Sequence, residues 1–110
     1  MKVPYYKDRY NKTYSGVLAI RIHMKRIVYI PHVFDKIEML QRHGFVVTTD
    51  MIEQVVRHPE RLEPGRQGRM VAQHGVSVRH VLRVVYEELD HLIIVTTLYP
   101  GRKDRYESNV

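Results

Sequence analysis

The sequence predicts an α+β domain in which two helices pack on one face of a three- to four-stranded antiparallel sheet. Three observations carry that expectation. Two segments between His32 and Pro59 repeat apolar residues at helical spacing, three β-prone runs follow between Arg69 and Tyr99, and only short turns separate those runs. A chain of 110 residues has room for a single hydrophobic core. The expected organisation is a basic, tyrosine-rich extension over residues 1–23, followed by one domain over residues 24–110.

The elements follow in chain order. Ile27 to Ile30 is a short β-prone run that offers an additional edge strand, and Pro31 closes it while suiting the first turn of a helix. From His32 to His43, Val33, Ile37 and Leu40 recur every three to four residues, flanked by Phe34 and Met39, and Gly44 supplies the C-cap. Thr48, Thr49 and Asp50 then offer N-cap oxygens, with Glu53 three residues after Asp50. Ile52, Val55 and Val56 form the apolar stripe of this second helix, which Pro59 ends. The stretch RHPERLEPGRQG reads as a loop from its Pro and Gly residues. Beyond it the period changes to two, giving strands over Arg69–His74, Arg79–Glu87 and Leu92–Tyr99 with turns at Gly75–Ser77 and Leu89–Asp90.

Apolar residues at 44% and charged residues at 27% describe a soluble globular domain. The absence of cysteine excludes a disulfide framework, a thiolate metal site and a cysteine nucleophile, and makes the reducing cytoplasm the simplest setting. Apolar runs such as Leu92 to Val95 fall far short of the roughly 20 residues that cross a bilayer, so no membrane segment is expected.

The net charge of +6 is unevenly distributed. Residues 1–30 hold Lys2, Lys7, Arg9, Lys12, Arg21, Lys25 and Arg26 against Asp8 alone, whereas basic and acidic residues balance beyond residue 30. Tyr5, Tyr6, Tyr10, Tyr14 and Tyr29 lie in the same segment. Cations interleaved with flat rings suit single-stranded nucleic acid, because the charges neutralise phosphates while the rings stack on bases. Lys2, Lys7, Arg9 and Lys12 are the contacts this reading selects; the plainer one is an unordered leader ahead of a second start at Met24.

The candidate chemistry lies on the strands. Alternation puts Arg83 with Val81, Val85 and Glu87, opposite Leu82, Val84 and Tyr86. If the latter three face the helices, Arg83 stands on the uncovered face, either as a phosphate ligand or as an ordinary solvated charge. Tyr99 shares a side with Ile93, Val95 and Thr97 by the same count. EPGRQGR sets Arg66 and Arg69 beside Gly65 and Gly68, which permit close backbone approach, yet it lacks the spacing and lysine of a P-loop and equally suits a plain turn. Seven histidines are scattered without metal-ligand spacing, so no metal is expected. His32, at the start of the first helix, is placed either as a structural residue or as a neutral imidazole and general base.

Three segments together, IPHVFDKIEMLQRHGF, TTDMIEQVVRHPERLEPGRQGRMVAQ and VLRVVYEELDHLIIVTTLYPGR, resemble a bacterial and archaeal domain family related to the RelE and BrnT toxins of type II toxin–antitoxin systems. The resemblance covers roughly residues 26–103. It implies a compact RelE-like α+β fold and a metal-independent endoribonuclease that needs no cofactor. RNA is then the substrate, the ribosome the place where some relatives cut mRNA, and a cognate antitoxin the neutralising protein partner. In that chemistry a ribose 2′-hydroxyl attacks the adjacent phosphate, which requires a base, an acid and a positive group for the charge on the phosphorane. By resemblance, Arg83 stabilises the transition state, Arg69 is the basic residue at the start of the first strand, Tyr99 is the hydroxyl near the end of the last strand, and His32 is base or acid. Arg66 and Arg102 add phosphate contacts, and with only Lys36 and Lys103 beyond residue 30, arginine is the main cation available. The rival expectation is a non-catalytic regulatory module that binds protein or nucleic acid through the open sheet face and the basic leader.

Overall fold

The computed structural model describes residues 25–107. They form an α+β domain with a five-stranded mixed sheet in the order β1-β5-β4-β3-β2. The elements are β1 (Arg26–Tyr29), α1 (Pro31–Arg42), α2 (Thr49–Arg57), β2 (Arg61–Pro64), β3 (Met70–Gly75), β4 (His80–Glu88), β5 (Leu92–Arg102) and a single helical turn, α3 (Lys103–Tyr106).

Local chemistry sets both long helices. Pro31 occupies the first turn of α1, where its missing N–H leaves no bond unmade, and Gly44 ends the helix at φ +84°, a conformation glycine adopts without strain. The Thr48 hydroxyl caps α2 by accepting from the Met51 N–H at 3.2 Å. Asp50 therefore lies inside the first turn of the helix and is not its cap. Val33 and Leu40 from α1 and Ile52, Val55 and Val56 from α2 pack on Leu82, Val84, Tyr86, Ile93, Val95 and Leu98 of the sheet. These side chains form the main core, where each fully buried aliphatic group contributes about 1.5–3 kcal/mol.

The expected three- to four-stranded antiparallel sheet needs three corrections. Ile27–Ile30 does supply an edge strand, but β1 runs parallel to β5, with Ile27 opposite Ile93, so the sheet is mixed. The segment read as a loop contains β2, which pairs antiparallel with β3 from Arg61↔Gln73 to Pro64↔Met70. Pro64 is compatible with this because β2 is an edge strand. Finally, β5 continues past Tyr99 to Arg102, through Pro100. β1 pairs with β5 only as far as Val95, so among the described residues no outer strand lies beside Pro100 to need its N–H.

A register shift between Val85 and Tyr86 divides the β4–β5 ladder and places Thr96 in a bulge, where its hydroxyl donates to the Val85 carbonyl at 3.2 Å. Ile93 and Val95 consequently belong to the helix-side core, while Tyr99 lies opposite Arg83. The simple alternation that grouped Tyr99 with Ile93 and Val95 fails at this extra residue.

The face away from α1 and α2 is also not fully open. α3 turns back over β4 and β5, and Val81 is fully buried although it lies outside the helix-side cluster. Residues 1–24 and 108–110 lie outside the described residues, and with them the expectations for Lys2, Lys7, Arg9 and Lys12.

Candidate active site

One register row crosses four strands: Arg61 on β2, Gln73 on β3, Arg83 on β4 and Tyr99 on β5. The next row on the same face contains Glu63, Val71, Val85 and Thr97. Residues two apart share a strand face, so this stacking brings the Glu63 carboxylate diagonally beside the Arg83 guanidinium.

Arg83 is 6% exposed, and its donors are directed to specific acceptors. Nε donates to the Tyr99 hydroxyl at 2.9 Å, Nη1 to the Gln73 side-chain oxygen, and Nη2 to Glu63 in a charged pair. Burial opposes the guanidinium charge, but the hydrogen bonds to Glu63 and Tyr99 more than offset it and hold its pKa above the ordinary value. Arg83 is therefore a fixed cation on the sheet face opposite α1 and α2, with a carboxylate and a phenol as neighbours.

Tyr106 completes the surroundings. Its ring lies 4.4 Å from the Arg83 guanidinium carbon, and the Tyr99 ring lies 5.6 Å away. The Tyr106 carbonyl accepts from Arg61 Nη1 at 2.7 Å. Thus both arginines of the polar row engage the C-terminal turn.

Beside this cluster is a shallow concavity of about 380 Å³ lined by Glu63, Arg66, Arg69, Arg83 and Tyr99, with Val71 and Val85 in its apolar wall. Arg69 donates to Glu87 at 3.0 Å and to Gln67 at 3.2 Å, while Arg66 is exposed. A 3₁₀ turn over Arg66–Gly68 carries these side chains, with Gly68 at φ +76° and Gln67 at φ 57°. The turn thus holds two successive residues in the left-handed region, which Gly68 adopts without strain and Gln67 adopts at a steric cost.

Three of the four expected catalytic residues, Arg69, Arg83 and Tyr99, converge here with Arg66. His32 does not join them. It is exposed at the second position of α1 and makes no hydrogen bond, ion pair or ring contact with Arg69, Arg83 or Tyr99 among the described residues. Arg102 is also elsewhere, exposed and paired with Asp104 at 2.7 Å.

No family model matches the chain, and no curated protein or solved structure matches it. What the site can do thus follows from its own groups.

Sequence reasoning missed Glu63, Gln73, Arg61 and Tyr106. Local patterns place the first and third in a loop and give no sign of α3. A signal for β2 was present in the alternation of Arg61, Leu62 and Glu63, with Leu62 alone entering the core. Chemically, the cluster joins a planar fork suited to phosphate, a carboxylate able to accept a proton and a phenol able to donate one. No group of three or more potential metal-ligating side chains occurs among the described residues. No helix among them is long and apolar enough to cross a membrane.

Proposed function

We propose that the chain is a toxin-like endoribonuclease whose active site is the Glu63–Arg83–Tyr99 cluster and its arginine-lined mouth. The observation that carries this reading is the meeting of Arg66, Arg69, Arg83, Tyr99 and Glu63 in one concavity. Arg66 and Arg69 hold the RNA phosphate at the mouth, and Arg83 stabilises the charge that builds on the phosphorane. Glu63, rather than His32, takes the proton from the ribose 2′-hydroxyl. As the 2′-oxygen bonds to phosphorus, the bond to the 5′-oxygen breaks and Tyr99 protonates the leaving oxygen, giving a 2′,3′-cyclic phosphate and a 5′-hydroxyl. The reaction uses no cofactor. Its cellular setting would be an antitoxin pair, with mRNA, free or on the ribosome, as substrate.

Induced expression tests this directly. The expected result is growth arrest with fragmented RNA, lost in a folded Arg83→Ala protein. Normal growth with intact RNA under high expression of the folded protein contradicts it.

A second reading, a non-catalytic binding module, is favoured by one observation: Glu63, Gln73 and Tyr99 already engage Arg83 while Tyr106 covers it. This reading predicts RNA or protein binding without strand scission.

A further inference from the structure

We infer that α3 is a cap on the Arg83 site: Arg83 lines the concavity but is only 6% exposed, and the Tyr106 ring must move aside before a phosphate that has entered the concavity can lie against the guanidinium. The inference rests on the proposed reading of that site and adds its regulation. Tyr106 lies on the Arg83 guanidinium at 4.4 Å, and Arg83 is buried although it sits on the face opposite α1 and α2. Glu63, Gln73 and Tyr99 accept from its three nitrogens, and the Tyr106 ring lies against the guanidinium carbon. A ring in this position excludes an approaching anion as effectively as it shields the cation from water.

Among the described residues, three backbone-directed bonds fix the two ends of the cap. Arg61 donates to the Tyr106 carbonyl at 2.7 Å, the Lys103 N–H donates to the Arg79 carbonyl at 2.8 Å, and the Glu107 N–H closes the turn on Lys103 at 2.8 Å. A single helical turn has too little internal hydrogen bonding to hold itself, so it opens at lower free energy than the sheet beneath it. Gly101 marks where the cap rests, since a Cβ there would overlap the Tyr106 ring. The absence of a side chain at Gly101 is therefore what allows the ring to rest over Arg83. The same chain that builds the cationic site also closes it, and the latch is the C-terminal turn.

The test reads Arg83 access without requiring RNA. Phenylglyoxal modification of arginines, mapped by peptide mass spectrometry, is compared for the native chain, Tyr106→Ala and Gly101→Ala. The first substitution removes the ring, and the second displaces it while keeping it. The native protein should modify Arg66 readily and Arg83 slowly. Both variants should raise the Arg83 rate by roughly tenfold, the scale of losing a partly desolvated cation–ring contact, with Arg66 unchanged. Hydrogen exchange of the β4 amides distinguishes cap opening from unfolding of the sheet. Arg83 as reactive as Arg66 in the native chain, or equally slow in both variants with β4 still protected, would overturn the cap. A parallel titration with a 2′-O-methyl oligoribonucleotide, which the proposed chemistry cannot cleave, addresses the underlying site. Tighter binding by both variants supports an RNA phosphate as the excluded ligand. No binding by any variant, with Arg83 access still increased, retains the cap and removes RNA from the reading.

Discussion

Arg83 and Tyr99 stand directly opposite one another on β4 and β5, and the guanidinium Nε donates to the phenol at 2.9 Å. The pairing places an aromatic hydroxyl beside a buried cation at the centre of a polar row, with Val81 and Val85 as the same-face neighbours of Arg83 along β4. Its consequences reach stability as well as chemistry.

The Glu63–Arg83 pair is largely withdrawn from solvent, with side-chain exposures of 14% and 7%. Removing one charge strands the other, so Glu63→Gln should destabilise the fold by about 3 kcal/mol. Replacing both partners, as Glu63→Leu with Arg83→Met, should recover most of that loss because neither desolvated charge remains. Urea unfolding of Glu63→Leu, Arg83→Met and the double variant measures the coupling; additive losses would show that the pair is energetically independent.

Tyr29 carries its hydroxyl into a buried position with no hydrogen-bond partner among the described residues. Burial chiefly, with help from Glu53 and Asp50 and against Arg57, raises its pKa above the ordinary 10.0. The sign follows from proton binding: above pH 10 the unfolded chain loses this proton first, so Tyr29 contributes stability below pH 10 that declines as pH rises through the folded value. Because its buried hydroxyl is unpartnered among the described residues, Tyr29→Phe should stabilise the protein by about 1 kcal/mol at neutral pH, and because it lacks the titrating group it should lose less stability between neutral and alkaline pH. Denaturation at pH 7 and in the alkaline range tests both statements.

Two backbone devices should behave differently. Thr48→Ala removes the α2 cap and should cost about 1 kcal/mol. Gly44→Ala meets no atom of the described residues within 4 Å, so its expected cost of about 1 kcal/mol is conformational and arises from φ +84°. Thermal melts of both variants, alongside an exposed Ala control in α1, check these magnitudes.

At the mouth of the concavity, Arg66 is exposed and Arg69 shares its charge with Glu87. Arg66→Ala should weaken single-stranded RNA binding and reduce the log–log salt slope by about one phosphate contact. Glu87→Gln should strengthen binding by releasing Arg69. Anisotropy titrations over a salt series measure both, and an unchanged slope in Arg66→Ala would place the phosphate elsewhere.

Much of this architecture was legible because the periods were clean. Alternation through Leu82, Arg83, Val84 and Tyr86 identifies which side chains enter the core, and Gly44 marks the end of α1. The Thr96 bulge was not legible, since nothing in a run of β-branched residues shows where one extra residue will be accommodated. β2 was hidden among Pro and Gly residues that ordinarily mark a loop, and with it went Glu63. β1 was visible as a strand, but its direction depends on where α1 returns the chain. Tyr106 could not be placed from sequence because α3 is a single turn held by tertiary contacts with Arg61 and Arg83. The cationic half of the site was thus readable from local patterns, while its carboxylate and its cap required the tertiary structure.

In the proposed reaction, Glu63, Arg83 and Tyr99 direct a ribose 2′-hydroxyl onto its neighbouring phosphate. The most direct measurement is analysis of the ends produced when purified protein meets single-stranded RNA in the presence of a metal chelator. The account predicts 2′,3′-cyclic phosphate and 5′-hydroxyl ends, with no cutting where the ribose before the scissile phosphate lacks its 2′-hydroxyl. Intact RNA after prolonged incubation with folded protein in which the cap has been opened by Gly101→Ala would contradict it.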